Sequence, residues 1–394
     1  MTFDELLTAC VKRGASDIHL HAGMPPYARI NGHMTALGSH PLSPQVTEGF
    51  LKLLLNPRTS AIFEEKGQAD MAYSIPGIAR FRVNVFRQRG SVSIVMRALS
   101  STGNYDRVKL PSQIFDYIVQ QKRGIILVTG PTGSGKSTTL GAIIDRINAT
   151  RAETIITIED PIETLHRNKQ SVVLQREIGQ DAPSFSEALV AAMRQDPDVI
   201  MIGEIRDYAT AAAAISAAQT GHLVLSTLHT LDTVRTVNRV LELFPPHERE
   251  TARILFADAL VAIISQRLLP TANGSGRAVA LEILKGTLRV KELVKDANRT
   301  SELVEAIRDG REDGMQSFDD HLARLYSEGA ISLETGISAA TSMHEFKMKA
   351  LRADSERNEA RAQAEQQAKE AQAAEAGTAG TTGTFEMPGR QGRF

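Results

Sequence analysis

Cysteine is almost absent from this chain: Cys10 is the only one among 394 residues. That excludes a disulfide framework and a cysteine-rich zinc site, and it fits a reducing compartment. Net charge is nearly absent too, with 45 lysines and arginines against 46 acidic residues, a balance of −1. Such a chain offers no basic footprint for nucleic acid. No uninterrupted apolar run approaches the roughly 18–20 residues of a membrane span. The opening Met1-Thr2-Phe3-Asp4-Glu5 lacks the basic-then-apolar order of a signal peptide. No internal repeat is visible. The expectation is a cytoplasmic protein, with peripheral attachment to a membrane complex left open. The remaining composition is ordinary for a globular protein, 42% hydrophobic and 23% charged, and the length suggests roughly two to three domains.

Against that background one stretch stands out. Gly130-Pro131-Thr132-Gly133-Ser134-Gly135-Lys136-Ser137 follows the apolar run Ile125-Ile126-Leu127-Val128. It matches the G-x-x-x-x-G-K-[ST] phosphate loop, and it lies where that loop belongs, between a buried strand and a helix start. Glycines let successive backbone N–H groups turn inward around phosphate oxygens without Cβ clashes. Lys136 is placed to meet the β/γ-phosphates and Ser137 to ligate Mg²⁺. The helix that follows, from Thr138 to Ile144, adds its N-terminal dipole. The expected nucleotide-binding set is Gly130, Thr132, Gly133, Ser134, Gly135, Lys136, Ser137 and Thr138. A plain glycine-rich turn would account for the glycines but not for Lys-Ser at that offset. The chain is expected to bind a nucleoside triphosphate.

Residues 1–100 read as a small α/β domain. Phe3 to Arg13 has helical spacing, Ser16 to His21 alternates like a strand, and Thr47 to Leu55 is again helical. Ala79 to Phe86 alternates strictly, with Phe81, Val83 and Val85 on one face and Arg80, Arg82 and Asn84 on the other. A second strand, Val92 to Arg97, follows a turn at Gly90. Five arginines lie between Arg80 and Arg97 with no acidic residue among them. Either they line a solvated strand face, or guanidinium forks face a nucleotide's phosphates, that of a neighbouring subunit included. The polar residues 101–109 read as a linker. From 110 to 345, strands alternate with helices and then give way to a helical region, Val290 to Ser342. That alternation around a phosphate loop predicts a mostly parallel sheet covered on both faces. Residues 346–394, rich first in Ala, Glu, Gln and Arg and then in Gly and Thr, read as a solvated helix passing into disorder.

Ligands bind such sheets at the carboxyl ends of the strands, and chemistry-bearing residues cluster there. Glu159-Asp160-Pro161-Ile162-Glu163 follows the strand Thr154–Ile158. Gly203-Glu204-Ile205-Arg206-Asp207 follows Val199–Ile202. Ser226-Thr227-Leu228-His229 follows Leu223–Leu225, with His222 at that strand's entry. Singly, the acids read as helix caps and the histidines as structural groups. The two histidines flank opposite ends of one strand without companion ligands, so a metal site of their own is excluded. Jointly the three stretches suit phosphoryl transfer, which needs a carboxylate for metal or water and polar groups on the γ-phosphate. Glu204 is the first candidate for Mg²⁺ and water positioning; Glu163 competes as the base.

These blocks, in this order, resemble the secretion ATPases of type IV pilus and type II secretion systems, above all the PilT/PilU group of pilus retraction motors. Gly130–Ser137 resembles the Walker A block, Ile158–Glu163 the Asp box, Asp198–Asp207 Walker B, and Thr220–Thr230 the His box. Ala15–Leu20 and Arg80–Asn84 resemble the group's N-terminal domain. The resemblance covers residues 1–345. It implies a PAS-like N-terminal domain, a RecA-like ATPase domain with a C-terminal helical part, and a homo-hexameric ring with ATP and Mg²⁺ between domains. It implies that Arg82 and Arg97 face phosphates, that His229 senses the γ-phosphate, and that His222 belongs to the catalytic set. The implied partners are an inner-membrane pilus platform protein and a second retraction ATPase, not nucleic acid, at the cytoplasmic face of the inner membrane. A short N-terminal domain without a four-cysteine module fits retraction rather than assembly. The retraction motors' Ala-Ile-Arg-Asn-Leu-Ile-Arg-Glu motif is absent; Glu305–Gly310 is at most a fragment, and Gly314–Asp319 looks more like the PilU branch. A main motor, an accessory motor, and an assembly ATPase for secretion or DNA uptake are thus the rival enzymes. A nucleotide-binding adaptor is opposed by intact Lys136, Ser137, Glu163 and Glu204, and a helicase by neutral charge and the His box.

Overall fold

The structure is a computed structural model that describes residues 2–99 and 108–378. Most of the expected linker and the end of the expected tail fall outside those residues. Helix α1 (Phe3–Lys12) starts in a capping box between Thr2 and Glu5 and buries Phe3, Leu6, Leu7 and Cys10 on one face. Strands β1 (Ala15–His21), β2 (Tyr27–Ile30) and β3 (His33–Ala36) follow, then helices α2 (Pro44–Leu54) and α3 (Pro57–Lys66). Strands β4 (Gln68–Ile75), β5 (Ala79–Gln88) and β6 (Ser91–Leu99) complete an antiparallel sheet in the order β3-β2-β1-β6-β5-β4. The pleat of β5 puts Phe81, Val83 and Val85 in the core, fully buried, and leaves Arg82 exposed. Phe63 and Leu51 close the same core from α3 and α2.

The second sheet begins after α4 (Ser112–Gln120) with β7 (Gly124–Thr129), α5 (Lys136–Thr150), β8 (Thr154–Glu159) and β9 (Val172–Glu177). Helix α6 (Phe185–Ala192), β10 (Val199–Ile202), α7 (Tyr208–Gln219) and β11 (Leu223–Leu228) continue the alternation. Then come α8 (Thr233–Glu242), α9 (Arg249–Ala259), β12 (Leu260–Pro270), β13 (Arg277–Lys285), α10 (Leu288–Lys295) and α11 (Leu303–Asp309). The strand order is β13-β12-β7-β11-β10-β8-β9, with β7 to β12 paired in parallel. All six residues of β7 are buried, because strands and helices cover both its faces. The chain runs to one side of β7 through β11 and to the other through β12, so the order reverses at β7, where an open α/β sheet leaves its ligand crevice.

By its internal contacts the chain divides into two compact units: residues up to 267 with 281–316, and 268–280 with the chain from Ser317 onward. The second unit holds α12 (Phe318–Ser327), α13 (Leu333–Ala339) and α14 (Met343–Thr378). Its small core joins Phe318, Leu322, Ile331, Phe346 and Ala350. Gly336 is needed there, since a Cβ would lie 2.2 Å from the Phe346 ring. The solvated stretch expected from residue 346 therefore begins later: the first turns of α14 are packed, and burying a Phe is worth about 2–3 kcal/mol. Among the described residues no helix is long and apolar enough to cross a membrane.

Candidate active site

The parallel register levels the carboxyl ends of the strands. Leu228 of β11 pairs with Thr129 of β7, and Ile202 of β10 stands between Ser226 and Ile158. The phosphate loop, the segment after β8, Glu204 and His229 all emerge at this one edge. Side chains lock the edge: Ser226 Oγ donates to Ile202 O at 2.8 Å, and Thr227 Oγ1 donates to Gly203 O at 2.7 Å.

The loop's backbone requires its glycines. Gly130, Gly133 and Gly135 have φ of +144°, +79° and +92°. At Gly130 a Cβ would lie 2.4 Å from Gln266 O and 2.6 Å from Ser134 Oγ. Lys136 is buried, and its Nζ donates to Gly130 O at 2.8 Å and Pro131 O at 3.1 Å. Burial holds its pKa below the ordinary value, while the carboxylates of Glu204 and Glu163 pull the other way. The start of α5 has no side-chain cap, with Gly135 at its N-cap and Thr132, Ser137 and Thr138 exposed around it. An uncapped helix end leaves N–H groups for an anion. Ser134 Oγ is buried without a partner, as is Gln266 Oε1 beside the loop. The N–H groups and the orphaned Ser134 hydroxyl, all donors, fit a triphosphate.

Glu204 has a side chain only 13% exposed, and its Oε1 pairs with Arg206. His229 Nε2 lies 3.4 Å from Oε2, within ion-pair range but out of hydrogen-bond alignment, so this buried oxygen keeps an unused lone pair. Glu163 is exposed, and its backbone N–H donates to Glu159 Oε2 at 3.4 Å. Glu159 is buried and accepts from Thr157 Oγ1 at 2.6 Å and Gln175 Nε2 at 3.1 Å. Burial raises its pKa, and these hydrogen bonds oppose the rise. Among the described residues no three His, Cys, Asp or Glu side chains form a cation site. A Mg²⁺ carried by phosphates needs only one or two protein ligands, which the exposed Ser137 and the unpaired oxygen of Glu204 match.

Three expected members of the site, His222, Arg82 and Arg97, lie away from the phosphate loop. His222 stands at the entry of β11, about 23 Å along the strand from His229 at ~3.3 Å per residue. Its Nδ1 is 2.9 Å from Ala217 O and 3.3 Å from Thr220 Oγ1, local contacts that cap the turn after α7. The His222 side chain thus does not join its own chain's phosphate loop. Arg97 Nε is held by Asp17 Oδ1 at 2.8 Å, and Arg82 stands directly opposite Arg97 across the β5–β6 ladder. From that arginine row it is Arg80 that reaches the second sheet, with Nη2 3.0 Å from Glu177 Oε2. Sequence reasoning gave no role to Arg206, Gln266, Glu159 or Glu177. Arg206 was legible as a cation two residues from Glu204; Gln266 carried no signal, because β12 itself was not foreseen.

The sequence profile of the family described as type II/IV secretion system protein matches residues 1–382. The chain belongs to this family. It is 40% identical over 334 residues to the type IV pilus retraction ATPase PilT of Pseudomonas aeruginosa, covering 85% of this chain and 96% of that one. The type IV pilus ATPase PilU of the same organism is 37% identical over 349 residues, covering 88% and 91%. The crystal structure of the pilus retraction motor PilT with bound ADP superimposes with a TM-score of 0.78 at 41% identity, covering 88% of this chain and 98% of that one. Within the secretion family the chain falls in the PilT/PilU group, with a PAS-like N-terminal α/β domain, a RecA-like P-loop domain and a C-terminal helical region.

Proposed function

We propose that this secretion-family protein is an ATP-hydrolysing hexameric motor that powers type IV pilus retraction. The observation that carries the reading is the meeting of Lys136, Glu204, Glu163 and His229 at one sheet edge around an uncapped helix. Binding a triphosphate asks Lys136 Nζ to exchange the Gly130 and Pro131 carbonyls for phosphate oxygens, a shift within reach of a side chain already at the loop. Ser137 and Glu204 are the residues that would hold Mg²⁺, which neutralises charge on the phosphates. Glu204, held through its other oxygen by Arg206, orders the attacking water, and His229 beside it reads the γ-phosphate. Arg82 supports the phosphate-facing role of the first sheet: it is exposed, and Arg97 opposite it already has Asp17 as its anion, so the Arg82 guanidinium is the one left to meet a phosphate. In a ring that phosphate belongs to a neighbouring subunit. The ring would act on an inner-membrane platform protein at the cytoplasmic face, with a second retraction ATPase as a further partner.

A PilU-like accessory role is favoured by one observation, the absent Ala-Ile-Arg-Asn-Leu-Ile-Arg-Glu motif. Steady-state ATPase activity, with oligomer mass measured on the same sample, separates the two. Turnover from a hexamer is expected, abolished by Lys136→Ala; Glu204→Ala should bind ATP and lose hydrolysis by ~10²–10⁴-fold. A hexamer that binds ATP with negligible turnover would overturn the autonomous-motor reading. Normal hydrolysis by Glu204→Ala would transfer the base to Glu163.

A further inference from the structure

We propose that Glu177 is a positioning residue for Glu163, and that Arg80 of the first sheet holds it in that task. The inference rests on the reading of this edge as an ATPase site, and on Glu163 taking part in hydrolysis there beside Glu204. Glu163 lies on an irregular segment between β8 and β9, whose backbone N–H groups need partners. Two buried carboxylates supply them: Glu159 Oε2 accepts from Glu163 N at 3.4 Å, and Glu177 Oε2 accepts from Ile162 N at 3.3 Å. Glu159 and Glu177 are register partners at the ends of β8 and β9, 8% and 5% exposed. Two carboxylates side by side in the interior call for a counter-charge.

That charge arrives from the other sheet. Arg80 Nη2 donates at 3.0 Å to the same Glu177 oxygen that accepts Ile162 N. The Arg80 side chain is 17% exposed, and its Nη1 also meets Ser74 Oγ at 3.4 Å. Arg58, from α3, donates to Gly179 O two residues beyond Glu177, so the first sheet's domain grips the end of β9 at two points. When that domain withdraws, Glu177 loses its cation, the Ile162 anchor loosens, and Glu163 loses its aim. Turnover is thereby gated by docking of the chain's own first sheet, separately from any arginine offered to a neighbour's nucleotide.

The test uses the full-length protein, Arg80→Met, Glu177→Gln and the double variant. Each single change should lower kcat by ~10- to 100-fold with KM for ATP little changed. The double variant should be no slower than the slower single, because both act through one contact. Amide hydrogen exchange at Ile162 and Glu163 should speed up at least about tenfold in Arg80→Met. Wild-type kcat and unchanged exchange in Arg80→Met would overturn the proposal, as would losses that multiply in the double variant. If the wild type shows no turnover that Lys136→Ala removes, the ATPase reading fails. The exchange at Ile162 and Glu163 then decides the positioning role by itself.

Discussion

Replacing Gly130 by alanine should damage the phosphate loop far more than the same change at Gly133, three residues on. At Gly133 the backbone is left-handed but space is open, with no atom within 4 Å of a new Cβ. The cost there is conformational, about 1–3 kcal/mol for a side chain in a glycine region. At Gly130 the same strain applies at φ +144°, and the new methyl also sits 2.4 Å from the backbone oxygen of Gln266. A backbone oxygen in β12 cannot rotate away, so the loop must move. Overpacking of this kind costs roughly 1–3 kcal/mol more, for a total on the order of 2–6 kcal/mol. At ~2–4 °C per kcal/mol, that is a fall on the order of 10 °C in the melting midpoint. Thermal unfolding and equilibrium ATP binding of both variants form the assay. Gly130→Ala should melt earlier than Gly133→Ala and lose nucleotide affinity, because Gly130 carries the carbonyl that Lys136 uses. A Gly130→Ala protein that melts within about 2 °C of wild type and binds ATP normally would refute the argument.

Two further outcomes follow from buried titratable groups. Lys136 has its pKa held below its ordinary 10.5 by burial; between that depressed value and 10.5 the unfolded chain keeps a proton the folded chain has released. Its contribution to stability therefore rises with pH across that window, and wild type should gain on Lys136→Met as pH is raised toward 10.5; a flat difference in denaturant midpoints would contradict this. Cys10 is 1% exposed, and burial pushes its thiol up to about 11. At pH 8 only about 10⁻³ of it is thiolate, so a thiol reagent should label it on unfolding and not before; prompt stoichiometric labelling of the folded chain would show the site to be open.

What the sequence shows of this fold depends on whether burial leaves a period. Strand β5 was legible because one of its faces is buried and the other wet. Strand β3 was not, since all four of its residues are exposed and no alternation arises. Strand β12 runs on from α9 without a break, through Leu260-Val261-Ala262-Ile263-Ile264, an apolar run that helix and strand share. With β12 hidden, Gln266 and its place beside Gly130 were hidden too. The motif-bearing strand ends were legible for the opposite reason: β7, β8, β10 and β11 are short apolar runs, each ending in residues whose chemistry is unusual together.

The arginine row shows the limit most clearly. Period two assigns Arg80 and Arg82 to one face of β5 but says nothing of what each will meet. Partners come from register and from the other sheet: Arg97 is held by Asp17, Arg82 is left exposed beside it, and Arg80 spans to Glu177. The two rival carboxylates separate on the same ground. Glu204 is held by Arg206 on its own loop, and His229, just past the adjoining strand, lies 3.4 Å from its free oxygen. Glu163 is exposed, and its segment hangs from Glu159 and, through Glu177, from Arg80 in another sheet. A carboxylate that must be in place at every turnover suits the first setting. One that should act only when the domains have closed suits the second.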